Sequence, residues 1–314
     1  MYSTPSRPSE LESIFGIYPY LFNKSNEILK KNPLFGTDKL FQNNRVPMVL
    51  QEPDFVANSV SWNPWHGCRR VSEGCRNCYM FLGDEKRGVK GSNIVRISKT
   101  QFDLPLKKNR NGLYSVRDKI VLSSMTSDFF IEEADEWRSE AWRMIRKRKD
   151  LTFILLTKRP ERMIECLPPD WGDGYENVRL SVSTENQDAW DLRVPILKEV
   201  PARKHDIFMA PMIGPIDVGD DLKDGIINCI YLGGEYCDNA RPCRYEWVQS
   251  VREKCVESGV TFHWRNTGSV FIKNGKTFII ENIADQGRVA LSSSIDHIVD
   301  NVIPERKYTQ SKLP

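Results

Sequence analysis

The chain has 314 residues, 40% of them hydrophobic, and carries 45 Lys and Arg against 42 Asp and Glu, for a formal net charge of +3. That length and apolar content suit one large α/β domain or two small ones, and so small a net charge neither supports nor excludes a nucleic-acid partner. The chain does not open on a basic segment followed by an apolar run, and no window approaches the ~18 apolar residues of a membrane span, so the expectation is a cytoplasmic protein with no membrane contact.

Residues 1–54 are rich in Pro, Ser, Asn and Lys and read as an N-terminal extension. From 55 to 270 short apolar runs recur, each followed by a polar or glycine-containing turn: KIVLSSMTSD, LTFILLTKRPERM, VRLSVSTENQ, HDIFMAPMIGPID, INCIYLGGEYC and VTFHWRNTG. These runs are continuous rather than alternating, as in parallel strands covered on both faces. The clearest helix is predicted over Glu132 to Lys149, where Ala134, Trp137, Ala141, Trp142 and Ile145 fall at helical spacing and the charges complement the helix dipole at both ends. The basic run Arg143 to Lys149 then reads as a solvated helix end rather than a nucleic-acid site.

Strand and helix in alternation predict the α/β class, as a barrel or a doubly wound sheet. The unusual polar residues fall at strand C-terminal ends: Ser124, Thr126 and Asp128; Thr157, Lys158 and Arg159; Ser181, Ser183 and Glu185; Gly233, Gly234 and Glu235. In a barrel such ends converge on one mouth, and neither GxGxxG nor a Walker A loop is present to favour the nucleotide-binding sheet. The prediction is therefore a partial (βα)6 TIM-like barrel over 55–270. Beyond it, SVFIKNGKTFII alternates about Asn274-Gly275, which predicts a β-hairpin within 271–314, followed by a loose tail.

Three of the eight cysteines crowd into SVSWNPWHGCRRVSEGCRNCYM, as Cys68, Cys75 and Cys78 with spacing C-x6-C-x2-C. In a reducing compartment such a cluster points to metal or catalysis rather than disulfides. Structural zinc would need a fourth ligand, from His66, Cys237 or Cys243. A four-iron, four-sulfur cluster held by three thiolates would leave one iron open to an external ligand. Both readings stand on the residues alone, and the zinc reading implies a non-catalytic interaction or nucleic-acid-binding module. Gly67 and Gly74, each just before a cysteine, are expected to let the backbone wrap closely around an inorganic centre.

The cysteine loop after the first strand resembles the cluster-binding loop of radical S-adenosylmethionine (SAM) enzymes, although the usual spacing there is C-x3-C-x2-C. Together WNPWHGCRRVSEGCRNCYM, SSMTSDFF, LLTKRPERM, LSVSTENQ, GPID, YLGGEYCDNARPCRYEWVQSVREKC and GVTFHWRNTG resemble, in order, a phage-associated three-cysteine family of unknown function that shares this barrel. The sequence departs from that family near Ala210, where a glutamate is common, and around Cys237 and Trp264.

The resemblance implies a 4Fe-4S cluster on Cys68, Cys75 and Cys78, S-adenosyl-L-methionine as cofactor, and reductive cleavage to a 5′-deoxyadenosyl radical that abstracts a substrate hydrogen. It further implies an external electron donor, a protein partner encoded nearby, and a nucleic-acid or nucleotide substrate. Tyr79 would pack against adenine or cluster, unless it is an ordinary helix-start aromatic. Ser124, Thr126 and Asp128 would hold the cofactor's amino group, or cap a helix. Ser181, Ser183 and Glu185 would face its ribose or carboxylate, Ser181 and Ser183 sharing one side of a strand.

Gly233 and Gly234 would admit close backbone approach, and Glu235 would contact cofactor or substrate. Lys158, with Arg159, could bind a carboxylate or phosphate, and Lys158 and Glu235 are the catalytic candidates. Cys166, Cys229 and Cys255 read as core thiols and His263 as a core histidine. Cys237 and Cys243 read either as loop cysteines or as a second metal or hydrogen-relay site.

Overall fold

The computed structural model describes residues 58–299. The expected extension over 1–54 and the end of the expected tail, 300–314, lie outside the described residues.

Seven parallel strands form one sheet curled into a half-barrel. They are β1 (Ser59–Trp62), β4 (Ile120–Ser123), β5 (Thr152–Thr157), β6 (Val178–Ser183), β7 (Lys204–Met209), β8 (Ile227–Gly233) and β10 (Thr261–Asn266), hydrogen-bonded in that order. Seven strands take part where six were expected: the strand before the cysteines pairs with β4 from Ser59 to Trp62, and all six later apolar runs join the same sheet.

Helices cross between some strands and not others. Among the described residues the five α-helices are α1 (Tyr79–Lys86), α2 (Asp135–Lys147), α3 (Gln187–Glu199), α4 (Tyr245–Ser258) and α5 (Ile283–Ser292). The β5–β6 crossover has only 3-10 turns, at Pro160–Arg162 and Ile164–Cys166, and residues 210–226 between β7 and β8 contain no helix. Pro168, Pro169, Pro211 and Pro215 fall in those crossovers, where missing N–H groups and fixed φ oppose a helix. The strict βα alternation is thus interrupted twice.

Period-two alternation splits the sheet's side chains between two faces. Phe153, Leu155, Leu180, Val182, Ile207, Met209, Ile230 and Leu232 are buried in the main core with the helices. Ile154, Phe208, Cys229 and Tyr231 form a separate cluster on the other face. There the Phe208 and Tyr231 rings stack with centroids 4.5 Å apart, and Tyr231 stacks on His263 at 5.3 Å. A buried Arg179–Asp206 ion pair crosses from β6 to β7 on the same face, with Arg179 Nη2 donating to Asp206 Oδ1 at 2.6 Å.

In α2 the apolar positions do what their spacing predicts: Ala141, Trp142 and Ile145 are buried, and Arg143, Arg146 and Lys147 are exposed. Arg148 is the exception to the solvated helix end. It is 0% exposed, donates to the carbonyls of Pro105 and Val116 and to Asp150, and lies over the Tyr114 ring with Cζ 4.0 Å from its centroid. A guanidinium can do this because its planar fork serves several acceptors while its face stacks on an aromatic.

The excursion between β1 and β4 contains a two-residue pair, β2 (Trp65–His66) with β3 (Arg96–Ile97). At the other end β11 (Val270–Lys273) and β12 (Lys276–Ile279) pair antiparallel about Asn274-Gly275, and β11 also pairs with β9 (Cys243–Arg244). Phe271 and Phe278 are buried in the main core, so this hairpin is built into the domain rather than appended to it. Helix α5, absent from the sequence reading, packs against β10, and His297 exchanges backbone hydrogen bonds with Phe262 at the open edge of β10. Covering that edge removes a template for pairing with another chain.

Candidate functional site

The cysteine loop runs from the end of β1 to α1, across the C-terminal ends of the strands. It is held there by backbone hydrogen bonds: Gly67 N–H donates to Thr126 O at 3.2 Å and Cys68 N–H to Ser92 O at 3.0 Å. Gly67 and Gly74 make close approaches, but to protein rather than to a hollow. A Cβ on Gly67, whose φ is +98°, would lie 2.3 Å from Ile94 O, and one on Gly74 would lie 2.7 Å from Glu185 Cδ.

Cys75 is buried, with its Sγ 3.9 Å from Ser72 Oγ, while Cys68 and Cys78 are partly exposed. Cys68 interacts electrostatically with Cys75, and the Tyr79 phenol with both Cys78 and Cys68, so the three thiols share one neighbourhood. Burial pushes the Cys68 thiol up to about 11, helped by the Asp128 carboxylate and opposed by Arg159, which also hydrogen-bonds the sulfur. Cys78 is the N-cap of α1 and its side chain makes no capping bond, which leaves its thiol beside the positive end of that helix.

Tyr79 opens α1. Its hydroxyl donates to Met125 O while the residue as a whole remains 52% exposed. Burial of the hydroxyl raises the phenol well above its ordinary range, with the nearby thiols adding to the effect.

Asp128 is the hub of this mouth. Its Oδ1 accepts from Phe130 N–H at 3.0 Å and Thr157 Oγ1 at 2.5 Å, and its Oδ2 accepts from Lys158 N–H and Arg159 Nη1, both at 2.9 Å. Four donors occupy the carboxylate, so Asp128 organises its neighbours rather than presenting a free oxygen. Arg159, through Nη2, also bonds Arg69 O at 3.0 Å, which ties the end of β5 to the cysteine loop. Ser124, at φ +59°, donates its N–H to Trp62 O, and its hydroxyl meets that of Ser123 at 3.3 Å. Thr126 donates its N–H to Asn63 Oδ1, and its hydroxyl is buried without a hydrogen-bond partner among the described residues.

At the end of β6, Ser181 and Ser183 are buried on one face, as their spacing predicts. The Ser181 hydroxyl and that of Thr184 have no partner among the described residues. Glu185 is 1% exposed, accepts from Gly74 N–H at 3.3 Å and pairs with the buried Arg193 at 2.8 Å. Burial alone would raise the Glu185 carboxyl, but Arg193, Lys158 and Ser72 hold it below the usual carboxylate range.

Gly233 and Gly234 serve a packing role. A Cβ on Gly234 would lie 2.3 Å from Thr267 O, and one on Gly233 would lie 2.7 Å from Asn266 Nδ2. The close approach they permit is that of the chain after β10. Glu235 accepts from Asn77 Nδ2 at 2.9 Å, from Arg241 N–H at 2.8 Å and from the Arg241 guanidinium. It therefore clamps the cysteine loop to the end of β8. The Arg241 and Asn77 hydrogen bonds outweigh the cost of burial and lower the Glu235 carboxyl.

The sequence reading did not pick out Asn77, Arg193 or Arg241. Asn77 and Glu235 are 158 residues apart, and no local pattern announces such a partner. Of the other cysteines, Cys229 and Cys255 are buried as expected, while Cys166 is partly exposed with Arg162 Nη2 3.6 Å from its sulfur. Cys243 is fully buried in the core, which pushes its thiol up to about 12, and Cys237 is partly exposed. His263 is buried, with Nδ1 2.9 Å from Asp296 Oδ2 and Nε2 without a partner among the described residues. Ala210 follows the end of β7 and is exposed.

Among the described residues no three His, Cys, Asp or Glu side chains converge as the ligands of a single ion do. His66, the nearest candidate for a fourth ligand, is engaged by Asp84 at 2.8 Å. Thiolates that each bind a different iron of a cluster need not converge on one point, whereas the ligands of one zinc ion must. The donor set fits a cluster: three thiols on one loop, an arginine on one sulfur, a helix N-terminus at another, and buried hydroxyls of Thr126, Ser181 and Thr184 left unpartnered nearby at the strand ends.

No helix among the described residues is long and apolar enough to cross a membrane. Neither the curated proteins nor the solved structures contain a match to this chain. Residues 56–299 match the family described as protein of unknown function DUF5131, and the chain belongs to that family.

Proposed function

We propose that the chain is a radical S-adenosylmethionine enzyme, in which Cys68, Cys75 and Cys78 hold a 4Fe-4S cluster at the mouth of a radical SAM-type partial barrel. The observation that carries this reading is one loop with three thiols lying across the C-terminal ends of a curled parallel sheet, where βα folds gather their reactive groups. When bound, the cluster and S-adenosylmethionine would supply one-electron reductive cleavage to a 5′-deoxyadenosyl radical that takes a hydrogen atom from the substrate.

The chain's own part is to bind, orient and exclude water. Arg159, fixed by Asp128, hydrogen-bonds the Cys68 sulfur and opposes the rise that burial imposes on that thiol. The hydroxyls of Thr126, Ser181 and Thr184, unpartnered among the described residues, are available to polar groups of the cofactor. Lys158 donates its backbone N–H to Asp128, and its ammonium acts on Glu185 and can meet a carboxylate or phosphate. Glu235, clamped by Arg241 and Asn77, holds the loop in position rather than exchanging protons.

Anaerobic purification tests the proposal. A brown protein absorbing near 400 nm with about four irons per chain is expected. Once reduced it should release 5′-deoxyadenosine from S-adenosylmethionine, and Cys75→Ala should not. Colourless protein with stoichiometric zinc, or cofactor cleavage by Cys75→Ala, would overturn the assignment.

A further inference from the structure

The net charge of +3 hides a strong asymmetry. Residues 69–117, the excursion that begins in the cysteine loop and ends before β4, contain twelve Lys and Arg against four Asp and Glu. Since the whole chain holds 45 against 42, the remainder holds 33 against 38 and is acidic. All twelve basic residues are exposed.

Their partners sort them further. Arg69, Arg76, Lys86 and Arg87 each meet a carboxylate, and Arg70 is held by Cys75 O at 3.1 Å and the Phe81 ring. Lys90, Arg96 and Lys99, which flank β3, have no carboxylate partner among the described residues. The same is true of Lys107, Lys108, Arg110 and Arg117 at the far end of the excursion. Of the four acids, Asp84 is buried against His66 and Arg87, and Glu73 pairs with Arg76, which leaves Glu85 and Asp103. Seven cations without a carboxylate partner on one excursion repel one another, and an external polyanion relieves that repulsion.

The surface is also continuous with the thiols and fixed in place. Cys68 bonds Ser92 O, Ser98 N–H donates to Pro64 O, and the buried Arg148 grips Pro105 and Val116. Beside the cysteines the exposed ring of Tyr79 and the 45% exposed Tyr236, next to the Glu235 clamp, offer flat faces for stacking.

We infer that the basic excursion 69–117 binds the phosphate backbone of a single-stranded nucleic acid, delivering an unstacked base to Tyr79 and the cysteine loop. A single strand is favoured over a duplex because a base inside a stack cannot reach a site at the strand ends, and because aromatic faces beside a basic track are how unpaired strands are held. This deepens the proposal above and rests on it for the chemistry, but the binding itself needs no cluster.

The test is fluorescence anisotropy of the full chain, without cluster, with a labelled 20-nucleotide single strand over a salt series. If each of the seven free cations neutralises one phosphate, log K should fall against log salt with a slope of about −5. The triple reversal Lys107→Glu, Lys108→Glu and Arg110→Glu should reduce that slope by about 2 and weaken binding about a hundredfold at ~0.1 M salt. A control with the same change in net charge, Lys223→Glu, Lys254→Glu and Lys276→Glu, should bind within threefold of the parent.

Equal losses in both triple variants, no measurable binding, duplex binding as tight as the single strand, or equal affinity for anionic phosphatidylserine vesicles would each overturn the inference. Strand binding by a chain that holds no iron after anaerobic purification would leave the inference standing and sink the radical-enzyme proposal. Cofactor cleavage without strand binding would do the reverse.

Discussion

Asp128→Asn puts the organisation of the mouth to a direct test. The substitution keeps the shape of the side chain and exchanges one acceptor oxygen for a donor. In the protein all four hydrogen bonds to this carboxylate come from donors, two of them, Lys158 N–H and Arg159 Nη1, onto Oδ2. An asparagine satisfies Phe130 and Thr157 through its oxygen, but its NH2 group then faces two further donors. Arg159 is 8% exposed and Asp128 4%, so a guanidinium is left in the interior without its counter-charge.

Breaking a buried pair from one side costs about 3–5 kcal/mol. For a domain of this size that is a fall in Tm of roughly 6–20 °C. Scanning calorimetry measures it, and the double variant Asp128→Asn with Arg159→Met separates the causes. If the cost comes from the stranded guanidinium, removing it as well should recover at least half of the lost stability. A single variant that melts within 2 °C of the parent, or a double variant as unstable as the sum of the singles, would refute the account of Asp128 as a hub.

Three further outcomes follow from the same geometry. Gly74→Ala places a methyl 2.7 Å from Glu185 Cδ and should cost about 1–3 kcal/mol in urea unfolding, with Glu185→Asp in the same chain restoring part of it by withdrawing the carboxylate. Asp206→Asn strands Arg179 among Ile154, Phe208 and Tyr231 and should cost about 3 kcal/mol by calorimetry, whereas Asp206→Leu with Arg179→Met should be close to neutral. The Glu235 carboxyl lies below its unfolded value, so its stabilisation is complete above about pH 4.3 and is lost as pH falls through the lower folded value. The stability difference between the parent and Glu235→Gln should therefore be constant from pH 7 to 5 and shrink below about pH 4. A difference that grows on acidification would contradict that sign.

Much of the architecture was legible because the relevant signals are local. Continuous apolar runs such as FILL at 153–156, each bounded by polar turn residues, read as strands buried on both sides, and Trp142 and Ile145 fall on one face of α2 because 3.6 residues make a turn. The hairpin at Asn274-Gly275 follows from two residues tolerant of positive φ, which are at +53° and +72°. Helix α5 escaped notice because its apolar face is short, with only Val289 and Ala290 among its apolar residues buried. The charge asymmetry was also in the sequence, but a whole-chain balance of 45 against 42 averages it away.

By itself the sequence determined the parallel strand runs, the three-thiol loop and the polar residues at the strand ends, because periodicity, spacing and turn chemistry act over a few residues. Only the tertiary structure decided which of those polar groups remain open. Asp128, Glu185 and Glu235 are closed off by Arg159, Arg193 and Arg241, whereas the hydroxyls of Thr126, Ser181 and Thr184 stay unpartnered among the described residues. A carboxylate's partner is set by where a distant chain segment brings a guanidinium, and that distance is a property of the folded sheet rather than of any stretch of sequence.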